Sequence, residues 1–599
     1  MKAFLLISLL TPLAYTNPNS SHCRCRPHQS CWPSPTEWNA LNSSVNGNLV
    51  SVRPIASVCH DGGAQSEACL AVQTLWSNST WRAAQPGAVQ YENWEAWPEH
   101  EQYCHIQTPF DEPCGQGRIS LYSTIASSPS DIQKTVSFAK KHNIRLAIKN
   151  SGHCFLGRST APESLQILTN GMKDIDIVDD FMQKGAPRGR GEGPAVTIAA
   201  GVSLQELYNA VSEKKRVVVA GASHTVGAAG GYIQGGGHSF LGPWKGMASD
   251  NALQFTVVTA NGELAIANEY ENPDLFWALR GGGGGTFGVV VDVTLRTFDE
   301  APVIIANLNI STAPGHPNFW KAMTQFHSHL PTLNDAGGAG YYYIWPQVPW
   351  IGNTTISGFT ASLMFPNETD VAKIDQAFAP LLTKLNATTA VATQYGAWPL
   401  PNISTLISDV LLSGDADSTG TIALLGSRLF SRNLLVTEDG PQRLISALQG
   451  VLQATGKVAT GHIVAGGAVA QNRQTIDSAL NPAWREAAAH ITIGASWDPN
   501  ASQAEQEAIR KNLTELEVEQ LRSVEGPYKM GAYINEANAY EKDFQSSFWG
   551  SNYPRLYAIK QKWDPTGLFI TRSGVGSEDW DAEGLCRPRV NYRHSRFQL

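Results

Sequence analysis

The sequence is poor in charge and in long apolar runs. Charged residues make up 16% of its 599 positions, and 44 Lys+Arg stand against 52 Asp+Glu for a formal net charge of −8. No basic excess remains to neutralise phosphates, so a nucleic-acid binder is excluded on charge. Beyond the N-terminus no segment approaches the ~18 consecutive apolar residues of a spanning helix, so no membrane span is expected. Complete signatures of several enzyme classes are also missing. No GxxxxGK[ST] supports ATP binding, and no GxGxxG strand-to-helix turn supports a nicotinamide dinucleotide. His100-Glu101-Gln102-Tyr103-Cys104-His105 comes near the HExxH zinc spacing, but its second His is one residue late and leaves the helix face of the first. Gly157-Arg158-Ser159-Thr160-Ala161 lacks the final Gly of a nucleophile elbow. A copper oxidase would need several HxH pairs; His327-Ser328-His329 stands alone and reads as a solvated helix end. No metal site is expected.

What is present points outward from the cell. Met1-Lys2, the apolar run Ala3 to Leu13 and the small residues near Ala14-Tyr15-Thr16 read as a signal peptide over 1–16. The chain has 9 cysteines, and all but Cys154 and Cys586 fall before residue 115: Cys23, Cys25, Cys31, Cys59, Cys69, Cys104 and Cys114. That crowding suits disulfides in an oxidising compartment, with pairing left open; the CxC at 23–25 lacks the CxxC spacing of zinc sites. Sequons at Asn19, Asn42, Asn78, Asn309, Asn353, Asn367, Asn386, Asn402, Asn500 and Asn512 offer glycosylation acceptors. Together these features predict a secreted glycoprotein.

With 42% hydrophobic residues the chain can bury a large core, and at roughly 150 residues per domain its length allows two to four domains. Residues 17–116 are Cys-rich with little sustained periodicity and read as a disulfide-tied extension. Residues 117–299 alternate helices and strands. Ile132, Val136 and Ala139 mark one side of a helix over 131–142, and a strand follows at 145–148. A second strand at 196–200 leads to a helix opened by the capping pattern Ser203-Leu204-Gln205-Glu206, and a third spans 217–220. Asn261-Gly262 joins a hairpin between 253–259 and 264–267. Residues 300–530 read as a second α+β domain, with a strand at 341–345 and a helix over 503–521. Residues 531–599 form a tail.

Glycine, at 54 residues, clusters in three loops. Lys149 to Thr160 follows a strand, Gly221 to His238 follows another, and Arg280 to Val290 separates a helix at 273–278 from a strand. Glycines there let backbone N–H groups crowd a pyrophosphate, so three such loops describe a large phosphate-bearing cofactor held by main chain.

The stretches IKNSGHCFLGRST, TVGAAGGYIQGGGH, DLFWALRGGGGGTFGVV and NYPRL…KWDPTGLF…GVGSEDW, in this order, resemble the FAD-linked oxidases of the berberine-bridge-enzyme-like group. That group belongs to the vanillyl-alcohol-oxidase, or PCMH-type, flavoproteins. The resemblance runs over about 117–300 and 531–580. It implies an α+β fold: a PCMH-type FAD-binding domain of two α+β subdomains over 117–299, and a substrate domain over 300–530 with an antiparallel sheet covered by helices. The 531–599 segment would return to the FAD domain. It implies FAD covalently attached through His153, with Ser151, Gly152, Gly157, Arg158 and Ser159 in the pyrophosphate loop. Gly221, Val226, Gly227, Gly230, Gly231, Gly235 and Gly236 of the second loop, Gly288 and Val289 after the third, and Asn552 and Tyr553 near the ring complete the implied cofactor set. Members with a second covalent link carry a Cys where this chain has Ser223, so a single link is expected. Cys154 stands where an Asp is common and reads as a small buried thiol.

A flavin oxidase must also place its donor for hydride transfer and manage a proton. Tyr533-Ile534-Asn535-Glu536 resembles the family's YxN strand, in which alternation would put Tyr533 and Asn535 on one face and Glu536 on the other. Tyr533 is the candidate to contact the substrate or act as base, with Asn535 orienting it; a strand Tyr satisfied by a buried hydrogen bond is the alternative. Tyr341, Tyr342, Tyr343 and Trp345 could face an aromatic or sugar donor, or belong to the core. The expected activity is oxidation of a small organic donor, an alkaloid or polyketide-type alcohol, with O2 as acceptor giving hydrogen peroxide. The alternatives are a secreted carbohydrate oxidase and a glycoprotein that keeps the fold without turnover.

Overall fold

The computed structural model describes residues 23–60, 63–349, 354–414, 417–453, 456–526 and 529–588. The signal-peptide reading at 1–16 and the sequons at Asn19 and Asn353 lie outside these residues. Three sheets organise the chain, and the α+β expectation holds. The first contains β1 (Leu49–Ser51), β2 (Tyr122–Ile125), β3 (Arg145–Lys149) and β4 (Ser164–Leu168) in the order β1-β2-β4-β3, with β4 parallel to both β2 and β3. The helix Pro129–Lys141 covers it. Ser128 caps that helix by accepting the Asp131 N–H, Pro129 sits where no amide is needed, and Ile132, Val136 and Ala139 point inward.

The second sheet contains β5 (Ile175–Val178), β6 (Ala195–Ala199), β7 (Arg216–Val218), β8 (Ala252–Val258), β9 (Leu264–Ala267) and the long β10 (Val289–Asp299), ordered β5-β6-β10-β8-β9 with β7 on β10. The β8–β9 hairpin turns at Asn261-Gly262, and Gly262 takes the positive φ that the turn requires. Ser203 and Glu206 close the capping box of helix Leu204–Glu213 as expected.

The third sheet is antiparallel: β11 (Val303–Thr312), β12 (Ala339–Pro349), β13 (Thr355–Pro366), β14 (Ala392–Leu400), β15 (Leu424–Ser431), β16 (Ala459–Ile463) and β17 (Ala487–Ala495), ordered β14-β11-β13-β12-β16-β17-β15. Helices Pro317–Asp335, Val371–Asn386 and Gly440–Val451 bury Phe326, Phe378 and Leu444 in the core.

Several expectations need correction. The extension before residue 117 is more regular than its sequence suggests: it holds helices Pro35–Ser44 and Glu67–Leu75, and its β1 is an edge strand of the first sheet. Short elements of 3 to 10 residues give too few turns for periodicity to show. Its cysteines pair as Cys25–Cys31, Cys59–Cys69 and Cys104–Cys114, while Cys23 reaches Cys586 across 563 residues. His327 is no solvated helix end. It is fully buried mid-helix, with Nδ1 2.8 Å from the Met323 carbonyl and Nε2 2.9 Å from Tyr342 Oη. Tyr342 therefore belongs to the core, and β-alternation sends Tyr341 and Tyr343 to the other face.

Candidate active site

The three glycine loops converge. A groove is lined by Asn150, Ser151, Gly152, His153, Cys154, Arg158 and Ser159 of the first, Val226, Gly227, Gly230 and Gly231 of the second, and Gly284, Gly285 and Gly288 near the third. The sheets explain the meeting, because the first loop leaves the C-terminal end of β3 and the second leaves β7 beside β10. At Gly231 an added Cβ would find no atom nearer than 3.9 Å and would project into open groove, whereas at Gly227 it would strike Asn150 Oδ1 at 2.0 Å. Buried Asn150 Oδ1 and Arg158 Nη1 have no hydrogen-bond partner among the described residues. A guanidinium N–H and a glycine-lined channel are the groups a pyrophosphate would satisfy, so the residues fit FAD.

Other expected cofactor residues stand behind this surface. Gly157 has φ +71°, and a Cβ there would lie 2.4 Å from the Trp94 ring, so this glycine serves close packing against the N-terminal segment. Gly235 and Gly236 back onto Asn535 and Leu480. Val289 faces away from the groove into the cluster holding Leu165 and Ile167, while its strand neighbour Val290 lines the groove. Asn552 gives its amide to the Leu480 carbonyl at 2.8 Å, and Tyr553 Oη bonds to Glu578, so neither lines the site. Cys154 is a buried free thiol whose Sγ accepts from the Arg158 backbone N–H at 3.3 Å and Nε at 3.1 Å.

His153 lines both the groove and an adjoining cavity of about 360 Å³. Its Nε2 is 2.7 Å from Thr225 Oγ1, which is itself 2.7 Å from Asp417 Oδ2. Asp417 also accepts from Ser223 Oγ at 2.8 Å and from the N–H groups of His224 at 3.2 Å and Thr225 at 3.0 Å. Burial alone would raise this carboxyl, but the Thr225 hydroxyl and the charge of His153 hold it at about 2. Burial lowers the His153 imidazole to about 4 despite Asp417. An ionised carboxylate only accepts, so the single Thr225 hydroxyl proton goes to Asp417 and Thr225 Oγ1 must accept from His153 Nε2–H. That fixes the tautomer and leaves the lone pair on Nδ1.

The cavity is walled by Tyr91, Phe155, Tyr341 and Tyr343, with Gly221 at its edge and Tyr533, Asn535, Glu536, His238 and His462 on its polar side. The strand expected at 533–536 is a correction: Ile534–Glu536 is one turn of 3₁₀ helix, which brings Glu536 to the same cavity as Tyr533 and Asn535. Asn535 links all three segments: Nδ2 donates to Gly231 O (2.9 Å) and Tyr533 Oη (2.8 Å), while Oδ1 accepts from Arg158 Nη2 (3.0 Å). Tyr533 Oη also accepts from Gly237 N–H at 3.2 Å. Burial and the Glu536 charge raise the Tyr533 phenol above its ordinary value despite these donors, so its Oη–H stays protonated at neutral pH. Glu536 is 2.9 Å from His238 Nε2, and the adjoining His238 imidazole with its hydrogen bond holds the carboxyl well below its ordinary value despite burial. Burial keeps His462 neutral, lowering it to about 4.

Asp417, Thr225, His238, His462 and His490 escaped the sequence reading. Thr225 and His238 stood in a quoted loop, but the others carry no local motif.

A family model described as "FAD binding domain" matches residues 122–268, and one described as "Berberine and berberine like" matches 532–576. A protein of Arthroderma benhamiae named an uncharacterized FAD-linked oxidoreductase is 50% identical over 97% of this chain and 99% of its own length. FAD-linked oxidoreductase malF of Malbranchea aurantiaca is 40% identical over 95% of each chain. Among solved structures, VAO-type flavoprotein MtVAO615 of Myceliophthora thermophila C1 is similar with TM-score 0.83 and 30% identity, covering 94% of this chain and 100% of that one. Glucooligosaccharide oxidase of Acremonium strictum, described with a 6-S-cysteinyl, 8α-N1-histidyl FAD, shares the fold at TM-score 0.60 and 20% identity over 76% of this chain and 91% of its own.

Proposed function

The chain belongs to the FAD-linked oxidoreductases of the berberine-bridge-like group, and on that premise we propose that it is a secreted oxidase whose FAD is held by one covalent bond to His153 Nδ1. The observation that carries the attachment is the Asp417–Thr225–His153 chain, which protonates Nε2 and frees Nδ1 at the junction of groove and cavity. Ser223, where doubly linked relatives carry Cys, spends its hydroxyl on Asp417, which supports a single link.

Bound FAD supplies a hydride acceptor at the ring. The protein binds its pyrophosphate with Arg158 and the glycine backbone of all three loops. Tyr533, oriented by Asn535, donates its hydrogen bond to an oxygen of the donor, and the aromatic walls exclude water. A cavity of about 360 Å³ with Tyr91, Phe155, Tyr341 and Tyr343 around it suits a flat, partly aromatic alcohol of the alkaloid or polyketide type. In this reading 117–299 and the returning 531–588 segment hold the cofactor, and 300–530 closes the donor side. Four disulfides and the exposed sequon asparagines Asn78, Asn309, Asn367, Asn386, Asn500 and Asn512, together with half-buried Asn42 and Asn402, support secretion with glycosylation.

The test is spectroscopic. Purified protein should stay yellow in the acid-precipitated pellet, and aromatic alcohols should bleach it without oxygen. Air should then restore the colour with release of hydrogen peroxide. Bleaching by oligosaccharides alone would move the donor class, and failure of air to restore colour would remove O2 as acceptor.

A further inference from the structure

Beside Tyr533, in the wall of the donor cavity, three histidines and a glutamate meet in a cluster that the flavin chemistry leaves unused. His462 of β16 and His490 of β17 are directly opposed in the antiparallel register, so both side chains leave the same face of the sheet. The 3₁₀ turn after Tyr533 carries Glu536 against that face, and the end of the second glycine loop brings His238. One ligand atom from each of His238, His462, His490 and Glu536 lies within 4.8 Å of the other three.

The hydrogen bonding is that of a site short of a partner. His490 is 1% exposed, and neither of its ring nitrogens has a hydrogen-bond partner among the described residues. Glu536 Oε2, buried as an atom, is likewise unpaired, with His490 Nδ1 at 3.4 Å and His462 Nε2 at 3.9 Å. His462 Nδ1 is 3.0 Å from the His490 carbonyl, which makes Nδ1 the protonated nitrogen and turns Nε2 inward as a lone pair. A backbone carbonyl behind a ligating imidazole is the usual outer partner of a metal-bound histidine. Buried polar atoms without partners call for an ion or water that satisfies them.

We propose that His238, His462, His490 and Glu536 bind a zinc ion at the polar wall of the donor cavity. Three imidazoles and one carboxylate are a borderline donor set that suits zinc, with bonds of about 2.0–2.2 Å. Tetrahedral ligands at that distance are about 3.3 Å apart, so the four atoms draw together by roughly an ångström on binding. Glu536 and His462 both line the cavity, so an oxygen of a bound donor, hydroxyl or carbonyl, can enter as a further ligand. The spacing of 224, 28 and 46 residues between successive ligands hides the site from any local motif.

The experiment is zinc titration of the full-length purified protein, stripped with a chelator, followed by desalting, elemental analysis and X-ray absorption at the zinc edge. Wild type should retain one zinc per chain in a shell of three imidazole nitrogens and one oxygen, and zinc should raise its melting temperature. His490→Ala and His462→Phe should each weaken zinc affinity by more than the roughly 10–100-fold that loss of an outer-shell partner costs. Near-ultraviolet dichroism and the uncomplexed melting temperature report whether each variant folds, and Glu536→Gln gives a third, isosteric test. Wild type that retains no zinc, or variants that retain as much as wild type, would overturn the site. Flavin content is read separately from metal content, so failure here leaves the oxidase reading standing, and the reverse also holds.

Discussion

Thr225 does two jobs with one proton, and its hydroxyl cannot be replaced by an apolar isostere. Thr225→Val removes the acceptor that fixes Nε2–H and leaves Asp417 short of a donor. A hydrogen bond to a charged group contributes about 1.5–3 kcal/mol, so flavin attachment in Thr225→Val should slow by roughly 10–100-fold, while Thr225→Ser should attach nearly as wild type. Timed acid precipitation after adding FAD to flavin-free protein measures both. Gly157→Ala tests packing, since both its positive φ and the Trp94 ring at 2.4 Å oppose a methyl group. It should destabilise by about 1–3 kcal/mol in thermal unfolding, with His153 and its partners untouched. Such residues show how far a sequence reading reaches. His153, Arg158 and Ser151 sit in a contiguous loop and could be named from it, whereas Asp417 reaches His153 from a distant loop and has no neighbouring pattern.

Elements were legible where their own residues decide them. The capping box at Ser203 and the Asn-Gly turn at 261–262 are local chemistry, and the structure places a helix and a hairpin there. Parity was the weaker signal. One turn of 3₁₀ helix brings Glu536 to the donor cavity, and the alternation of β10 sends Val289 to the core and Val290 to the groove. The helix Pro317–Asp335 carries its own test. Burial lowers His327 to about 4, partly offset by the Met323 carbonyl, while an unfolded imidazole titrates near 6.5. The unfolded chain therefore takes up the proton first, and the stability present at neutral pH is lost as pH falls from 6.5 toward 4. Between pH 7 and 5 this one group costs about 2 kcal/mol by linkage. His327→Gln should flatten the acid limb of denaturant-measured stability by about that amount, although it lowers stability at pH 7 by disturbing the Tyr342 bond.

At the scale of the whole molecule the first and last described segments are joined. Cys23–Cys586 closes almost the entire chain, Arg24 N–H donates to the Leu585 carbonyl at 2.7 Å, and the Arg145 guanidinium donates to the Glu583 carbonyl at 2.8 Å. Loss of a native disulfide typically costs about 2–5 kcal/mol, so Cys23→Ser with Cys586→Ser should lower the melting temperature and expose the C-terminal segment to protease. The fold class was readable because glycine loops and terminal motifs repeat a family order. The donor cavity was not, because its walls come from segments around residues 91, 155, 341, 417 and 533 that only the third sheet and the returning tail bring together.

The central claim is that one imidazole nitrogen carries the flavin. Denatured protein digested with trypsin and sequenced by mass spectrometry should yield a single flavin-bearing peptide with the modification on His153, none on the peptide holding Ser223, and none in His153→Ala. Flavin released entirely on denaturation, or found on another residue, would contradict it.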